Sequence, residues 1–162
     1  MKTTIIYHSE SGNTKQMAEH IMRTFNSFEG MEARTFSTHD VDIEFAKNSK
    51  CIIIGTPIYM AGASAAIHTF LQNVFNDCEP ANKLGGAFAT ANYVHGGGEL
   101  GIRSILDVMM VKGMLIYSGG AAFGKPVVHL GPVALSERLD ESNTYFELYA
   151  KRMAQKAIEL FG

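Results

Sequence analysis

Residues 9 to 14 read Ser9-Glu10-Ser11-Gly12-Asn13-Thr14. Hydroxyls at 9, 11 and 14, with Gly12 and Asn13 between them, suit a tight loop around a phosphate. No arginine occurs there, and the only nearby cation is Lys15. The stretch follows the β-branched and aromatic run Thr3-Thr4-Ile5-Ile6-Tyr7 and opens an amphipathic segment. A strand-to-helix turn of this kind offers an anion unpaired N–H groups and the positive end of a helix dipole. Hydrogen bonds to a charged group contribute roughly 1.5–3 kcal/mol each, so several would hold a phosphate dianion. The plain alternative is a serine-rich turn with a helix N-cap. Neither a G-K-[ST] ending nor G-x-G-x-x-G is present.

Two later stretches have related character. Gly55-Thr56-Pro57-Ile58-Tyr59-Met60-Ala61-Gly62 is stiffened by Pro57 and free to turn at Gly62. Apolar side chains at 58 to 60 can pack on a flat ring while backbone amides reach its polar edge. The third stretch is Thr90-Ala91-Asn92-Tyr93-Val94-His95-Gly96-Gly97-Gly98-Glu99. Its glycines expose backbone and remove bulk, and Tyr93 offers an aromatic face. Tyr93 and His95 are candidates for positioning a substrate, although a solvent-exposed loop histidine is the simpler reading of His95. Glu99 stands where a helix begins, which suits a favourable dipole contact rather than catalysis. No general acid or base is evident, and neither is a metal-ligand spacing.

These stretches need elements to hold them, and the chain alternates strand and helix patterns. Strands are expected at Thr3–His8, Met31–Ser37, Cys51–Gly55, Gly86–Thr90 and Met114–Tyr117. Helices are expected over Thr14–Phe28, over Asp40–Asn48, around Ile67–Phe75, from the glycine loop to Gly113, and over Asn143–Leu160. The helix faces carry Met17, Ile21, Phe25 and Phe28; Ile67, Phe70, Leu71, Val74 and Phe75; Ile102, Ile105, Leu106, Met109 and Met110; and Phe146, Tyr149, Met153 and Leu160. Ser118–Ser136 reads as irregular, with Pro126–Leu130 extended. Cys51-Ile52-Ile53-Ile54-Gly55, apolar throughout, fits a central parallel strand covered on both faces. Five strands alternating with helices imply an α/β three-layer sandwich around a five-stranded parallel sheet, and the order 2-1-3-4-5 suits so short a chain. In that order, ligands bind beyond the carboxyl ends of the strands, where the three stretches lie together.

Composition narrows the class. At 162 residues, with 46% hydrophobic and 19% charged residues, residues 1–162 read as one ordinary globular domain. The net charge is −2 with no basic stripe, which argues against nucleic acid. No apolar run reaches the ~20 residues that a membrane span needs. Cys51 and Cys78 form no C-x-x-C pair, and Cys51 reads as a small buried hydrophobe. With no signal peptide evident, a cytoplasmic setting is expected.

Ser9–Thr14 resembles the flavodoxin phosphate loop, and Gly55-Thr56-Pro57-Ile58-Tyr59 resembles that family's second flavin loop. The run Phe88-Ala89-Thr90 through Gly96-Gly97-Gly98-Glu99, then Lys112-Gly113-Met114, is similar to the WrbA-type, flavodoxin-like NAD(P)H:quinone oxidoreductases. The resemblance covers nearly the whole chain. It implies a flavodoxin-like fold and bound FMN. Ser9, Ser11, Gly12, Asn13 and Thr14 would contact the phosphate. Pro57, Ile58, Tyr59, Met60 and Ala61 would border the isoalloxazine, along with Thr90, Ala91, Asn92, Tyr93, Gly96 and Gly97. The chain lacks the extra segment that WrbA-type proteins carry between the third helix and the fourth strand, which helps to build their tetramer; a homodimer is the expectation here. Tryptophan is absent, so flavin stacking falls to tyrosine.

Two flavin chemistries compete. In the first, NADH or NADPH passes a hydride to flavin N5, and a quinone or similar small acceptor is then reduced. In the second, the chain is a one-electron carrier between protein partners. The small net charge and the room left by Gly96–Gly98 favour the first. A third reading is a binding domain with no redox work, which the intact loop hydroxyls oppose.

Overall fold

A computed structural model describes residues 1–162. β1 (Lys2–Tyr7) leads to α1 (Asn13–Phe25), β2 (Glu32–Ser37), α2 (Ile43–Lys47) and β3 (Ser49–Tyr59). After β4 (Gly62–Ala63) come α3 (Ala65–Asn73), β5 (Leu84–Ala91), α4 (Gly98–Val111), β6 (Leu115–Ile116), β7 (Val133–Leu135) and α5 (Leu139–Phe161). The parallel sheet runs β2-β1-β3-β5-β6. That is the expected order with two additions. β4 is an antiparallel return on β3, and β7 pairs with the outer side of β5.

Alternation along the strands divides the core. Ile5, Cys51, Ile53 and Phe88 face α1 and α5, within a cluster of 18 buried residues. Ile6, Ile52, Ile54 and Ala87 face α3 and α4, within a cluster of 17. Two nearly equal cores explain why the central strand is apolar throughout. Cys51 and Cys78 are buried free thiols; burial pushes Cys78 up to about 11 and raises Cys51 as well.

Several element bounds differ from the sequence reading, each for a local reason. α1 stops at Phe25 because the Asn26 side-chain amide pairs with the backbone of Ala33 in both directions, at 2.7 and 3.1 Å. Phe28 therefore lies beyond the helix, half-buried. α2 begins later than Asp40 because Asp42 caps it, accepting from the Phe45 N–H at 2.9 Å. β3 runs on past Gly55, pairing Thr56 with Ala89 and Pro57 with Thr90. The fifth strand is split: β6 pairs at Leu84 and Gly85, while β7 pairs at Ala89 to Ala91. Pro126–Leu130 is not a strand; only Val128 makes an isolated bridge, to Gly120. Met110 and Leu160 are exposed, one position off stripes that Met109 and Phe161 complete.

Lys83 is buried, yet its ammonium donates to the carbonyls of Ala46, Lys47 and Cys78 at 2.7, 2.8 and 2.8 Å. Three donors meet three acceptors, which offsets the burial that lowers its pKa. Gly55 lies opposite Phe88 in register, and a Cβ there would come within 2.0 Å of the Phe88 ring. Overpacking of a tight core typically costs about 1–3 kcal/mol. Gly55→Ala should therefore destabilise the fold by about that amount, read as a lower urea midpoint at unchanged slope.

Candidate functional site

The carboxyl ends of β1, β3 and β5 bring three loops to one edge of the sheet. In the first, Gly12 has φ 94 and opens α1 with no side-chain cap and no acidic residue in the first turn. Gly12 donates its N–H to Ser9 Oγ at 3.1 Å, and Gln16 N–H returns to the Gly12 carbonyl at 2.9 Å. By helix geometry, the amides of Asn13, Thr14 and Lys15 then have no acceptor within the helix. Ser9 is half-buried and Ser11 is exposed beside them. α4 opens the same way at Gly97 (φ 90), also without a side-chain cap, and carries Glu99 in its first turn. By contrast, Asp42 and Ser64 cap α2 and α3. α5 also starts without a side-chain cap, but α1 and α4, which follow the first and third loops, are the two that open behind a left-handed glycine.

Thr14 has a different place from the one expected. It is buried, and its hydroxyl meets that of Thr90 at 2.7 Å, bonding the first loop to the end of β5. The hydroxyls of Ser9 and Ser11 lie nearer the surface than that of Thr14.

The second loop is a hairpin rather than an open connection. Met60 (φ 51) and Ala61 (φ 60) are both left-handed, and Tyr59 pairs with Gly62 across them. Two such residues match the backbone of a two-residue hairpin turn, and non-glycine residues hold it only under strain. Pro57 is buried within β3, and Ile58 turns its Cδ1 toward Gly101 of α4. Tyr59 and Met60 remain as exposed apolar side chains.

In the third loop, Thr90 and Ala91 are buried strand residues, whereas Asn92, Tyr93 and His95 are exposed. Its glycines are not open. A Cβ on Gly96 would meet the Tyr93 carbonyl at 2.9 Å, one on Gly97 the Ala61 backbone at 2.7 Å, and one on Gly98 the Val133 side chain at 2.8 Å. On the Cβ side the protein itself fills the room at these positions, and Gly97 packs the third loop onto the second. Asn92 to Gly96 instead line a cleft of about 440 Å³ with Leu135, Glu137 and Arg138.

His8, Thr56 and Ser64 were not among the expected site residues. Ser64 Oγ lies 2.9 Å from His8 Nδ1 and accepts from the Ile67 N–H. Thr56 Oγ1 accepts the Ser64 N–H at 3.0 Å. On the other side of the ring, His8 Nε2 lies 4.0 Å from Glu10. Tyr59 meets the His8 ring edge-on at 6.4 Å. Burial raises the Tyr59 pKa, and the Glu10 charge adds to the effect. The sequence signal was position alone, since His8 is the residue between the first strand and its loop.

This arrangement defines a class: a doubly wound α/β protein with the N-termini of two helices at one edge of its sheet. The chain matches the family described as Flavodoxin over residues 5–95. It is 37% identical over 161 residues to a flavodoxin of Clostridium saccharobutylicum, covering 99% of this chain and 100% of that one. Among solved structures, a flavodoxin, WrbA-like protein from Agrobacterium tumefaciens superposes with a TM-score of 0.80 at 22% identity, covering 98% of each chain. A Fusobacterium nucleatum flavodoxin bound to flavin mononucleotide does so at 0.75 and 16% identity, covering 96% of this chain and 98% of that one. The chain belongs to the flavodoxin family.

The site yields two expectations. Thr14→Val leaves the buried Thr90 hydroxyl unpaired and should cost about 1–3 kcal/mol of stability; Thr14→Val with Thr90→Val should cost less than the two changes summed, by urea unfolding. Glu10→Gln removes the negative charge that disfavours the Tyr59 phenolate. The phenol pKa should then fall toward its ordinary value, followed by the Tyr59 ring carbon in an NMR pH titration.

Proposed function

We propose that the chain binds FMN at this edge and acts as a one-electron carrier between protein partners. The observation that carries the reading is the bare N-terminus of α1. Its free amides, its left-handed Gly12 and the hydroxyls of Ser9 and Ser11 fit a phosphate dianion, and no acidic side chain caps the first turn. Tyr59 and Tyr93, both exposed beside it, suit the faces of a flat ring. When bound, FMN would supply the one-electron redox chemistry. The protein's part is to fix the phosphate on Ser9–Thr14, to offer the strained backbone of Met60 and Ala61 to the ring's polar edge, and to limit water there with Tyr59 and Tyr93. A related flavodoxin from Fusobacterium nucleatum holds FMN, and the Clostridium relative carries the flavodoxin name.

The alternative is transfer from NAD(P)H to a quinone. It drew on the room beside Gly96–Gly98, which packing narrows at the Cβ positions, and on the small net charge. That net charge is the difference between separated groups. Glu10, Glu99, Glu137, Asp140 and Glu141 are exposed at or beside the loop edge against two cations, Lys15 and Arg138, while Lys125, Lys151, Arg152 and Lys156 gather elsewhere. A negative edge steers a carrier onto basic partners without a large overall charge. The WrbA-like neighbour shares the fold.

Anaerobic reduction separates the two readings. FMN-loaded protein titrated with dithionite should take up its electrons in two resolved one-electron stages, and NADH or NADPH should leave its visible spectrum unchanged. Rapid bleaching by either nicotinamide, with turnover of an added quinone, would establish the reductase instead.

A further inference from the structure

A second concave site lies away from the loop edge, where α5 meets the segment that splits the fifth strand. Tyr117, Phe123, Lys125, Lys151, Arg152 and Lys156 line a cleft of about 380 Å³. Tyr117 N–H bonds to the Gly85 carbonyl, six residues before the end of β5. At the usual strand rise, that is roughly 20 Å from the loop edge.

Four cations line this cleft against one carboxylate, Glu159. Arg152 is the informative one, because it is only 6% exposed. It donates to the carbonyls of Gly120 at 3.3 Å and Pro126 at 3.4 Å, and its guanidinium stands 5.7 Å from the Phe123 ring centre. Two of its five N–H donors are used, both in long bonds, and no carboxylate pairs with it. A guanidinium withdrawn from water without a counter-charge is costly to keep, and an anion offsets that cost. Lys125 is exposed and likewise has no carboxylate partner. Lys151 and Lys156 pair with Glu147 and Glu159 on the helix surface. Such pairs contribute only about 0–1 kcal/mol and exchange readily for a better anion.

We propose that this cleft binds a diphosphate group, free or as part of a nucleotide. The spacing of the cations selects the class. Lys151 and Lys156 stand five residues apart on α5, roughly 7.5 Å along its axis. Two linked phosphoryl groups span that separation with each lysine beside its own group and Arg152 between them supplying planar donors, whereas a single group would have to draw both side chains inward. Lys125 adds a fourth cation to the lining, and the exposed ring of Phe123 offers a surface for a base.

The test is an NMR titration of the 162-residue chain, repeated with FMN present. Inorganic pyrophosphate and ADP are added separately, with sodium chloride holding ionic strength constant. Expected are saturable shifts of the amides at 117–125 and 151–159, with the dissociation constant raised about tenfold by Lys125→Ala and by Lys151→Ala. Tighter binding of ADP than of pyrophosphate assigns the nucleotide as source; the reverse assigns the free anion. Arg152→Lys is informative only if its spectrum shows a folded chain, so the two surface lysines carry the test. Shifts that never saturate, that fall only at Ser9–Thr14, or that survive both lysine substitutions unchanged would overturn the proposal. FMN binding is read separately from the flavin spectrum, so failure of one site leaves the other standing.

Discussion

The contact between Gly55 and Phe88 governs how the rest of the molecule is set. β3 is apolar on both faces, so a slip of one residue along β5 would still bury isoleucines on each side. Hydrophobic patterning alone fixes register weakly in such a strand. Gly55 removes that freedom, because the Phe88 ring occupies the space of a Cβ. Phe88 in turn meets Phe146 of α5 edge-on, with ring centres 5.6 Å apart. The pairing of β3 with β5 then determines which residues emerge at the sheet edge. Had the strands paired one residue out, Ala61 and Gly97 would not meet.

At that edge, the chain spends backbone rather than side chains. α1 and α4 leave their first turns without side-chain caps behind left-handed glycines, and the β3–β4 hairpin holds two non-glycine residues left-handed. Each arrangement is less favourable locally than a capped helix or an Asn-Gly turn. The surrounding packing sustains them: Thr14 on Thr90, Gly97 on Ala61, and Ser64 between His8 and Thr56. Together they bring the backbone of three loops to one edge of the sheet, with the first turns of α1 and α4 free of side-chain caps.

Periodicity and loop chemistry made most of this legible in the sequence. The isoleucine run marked the central strand, the alternation of elements gave the sheet order, and the three loops were placed on the correct edge. What escaped was set by contacts between residues far apart in the chain. No local pattern says that Asn26 will bond Ala33 and end α1, that Lys83 will be consumed by three carbonyls, or that Thr14 will turn to Thr90. The glycines at 96 to 98 illustrate the limit most clearly. A glycine in sequence reads as open space, yet Ala61 presses on Gly97 and Val133 on Gly98, while Gly96 sits against the Tyr93 carbonyl of its own turn. Ile58 read as a ring-facing residue, but strand alternation turns it toward α4.

The divided fifth strand has one more consequence. An open sheet ends in a row of unpaired N–H and carbonyl groups, a template on which another chain can add. Here the outer side of β5 is met in short pieces. β6 takes its first two residues, β7 its last three, and the Pro132 carbonyl accepts the Ala89 N–H at 3.0 Å while Gly131 packs on the Ala87 carbonyl. The last strand is too short and too interrupted to recruit a neighbour, and the opposite edge, β2, carries the charged side chains of Glu32 and Arg34. Such edges let a small sheet protein stay dispersed when crowded with copies of itself.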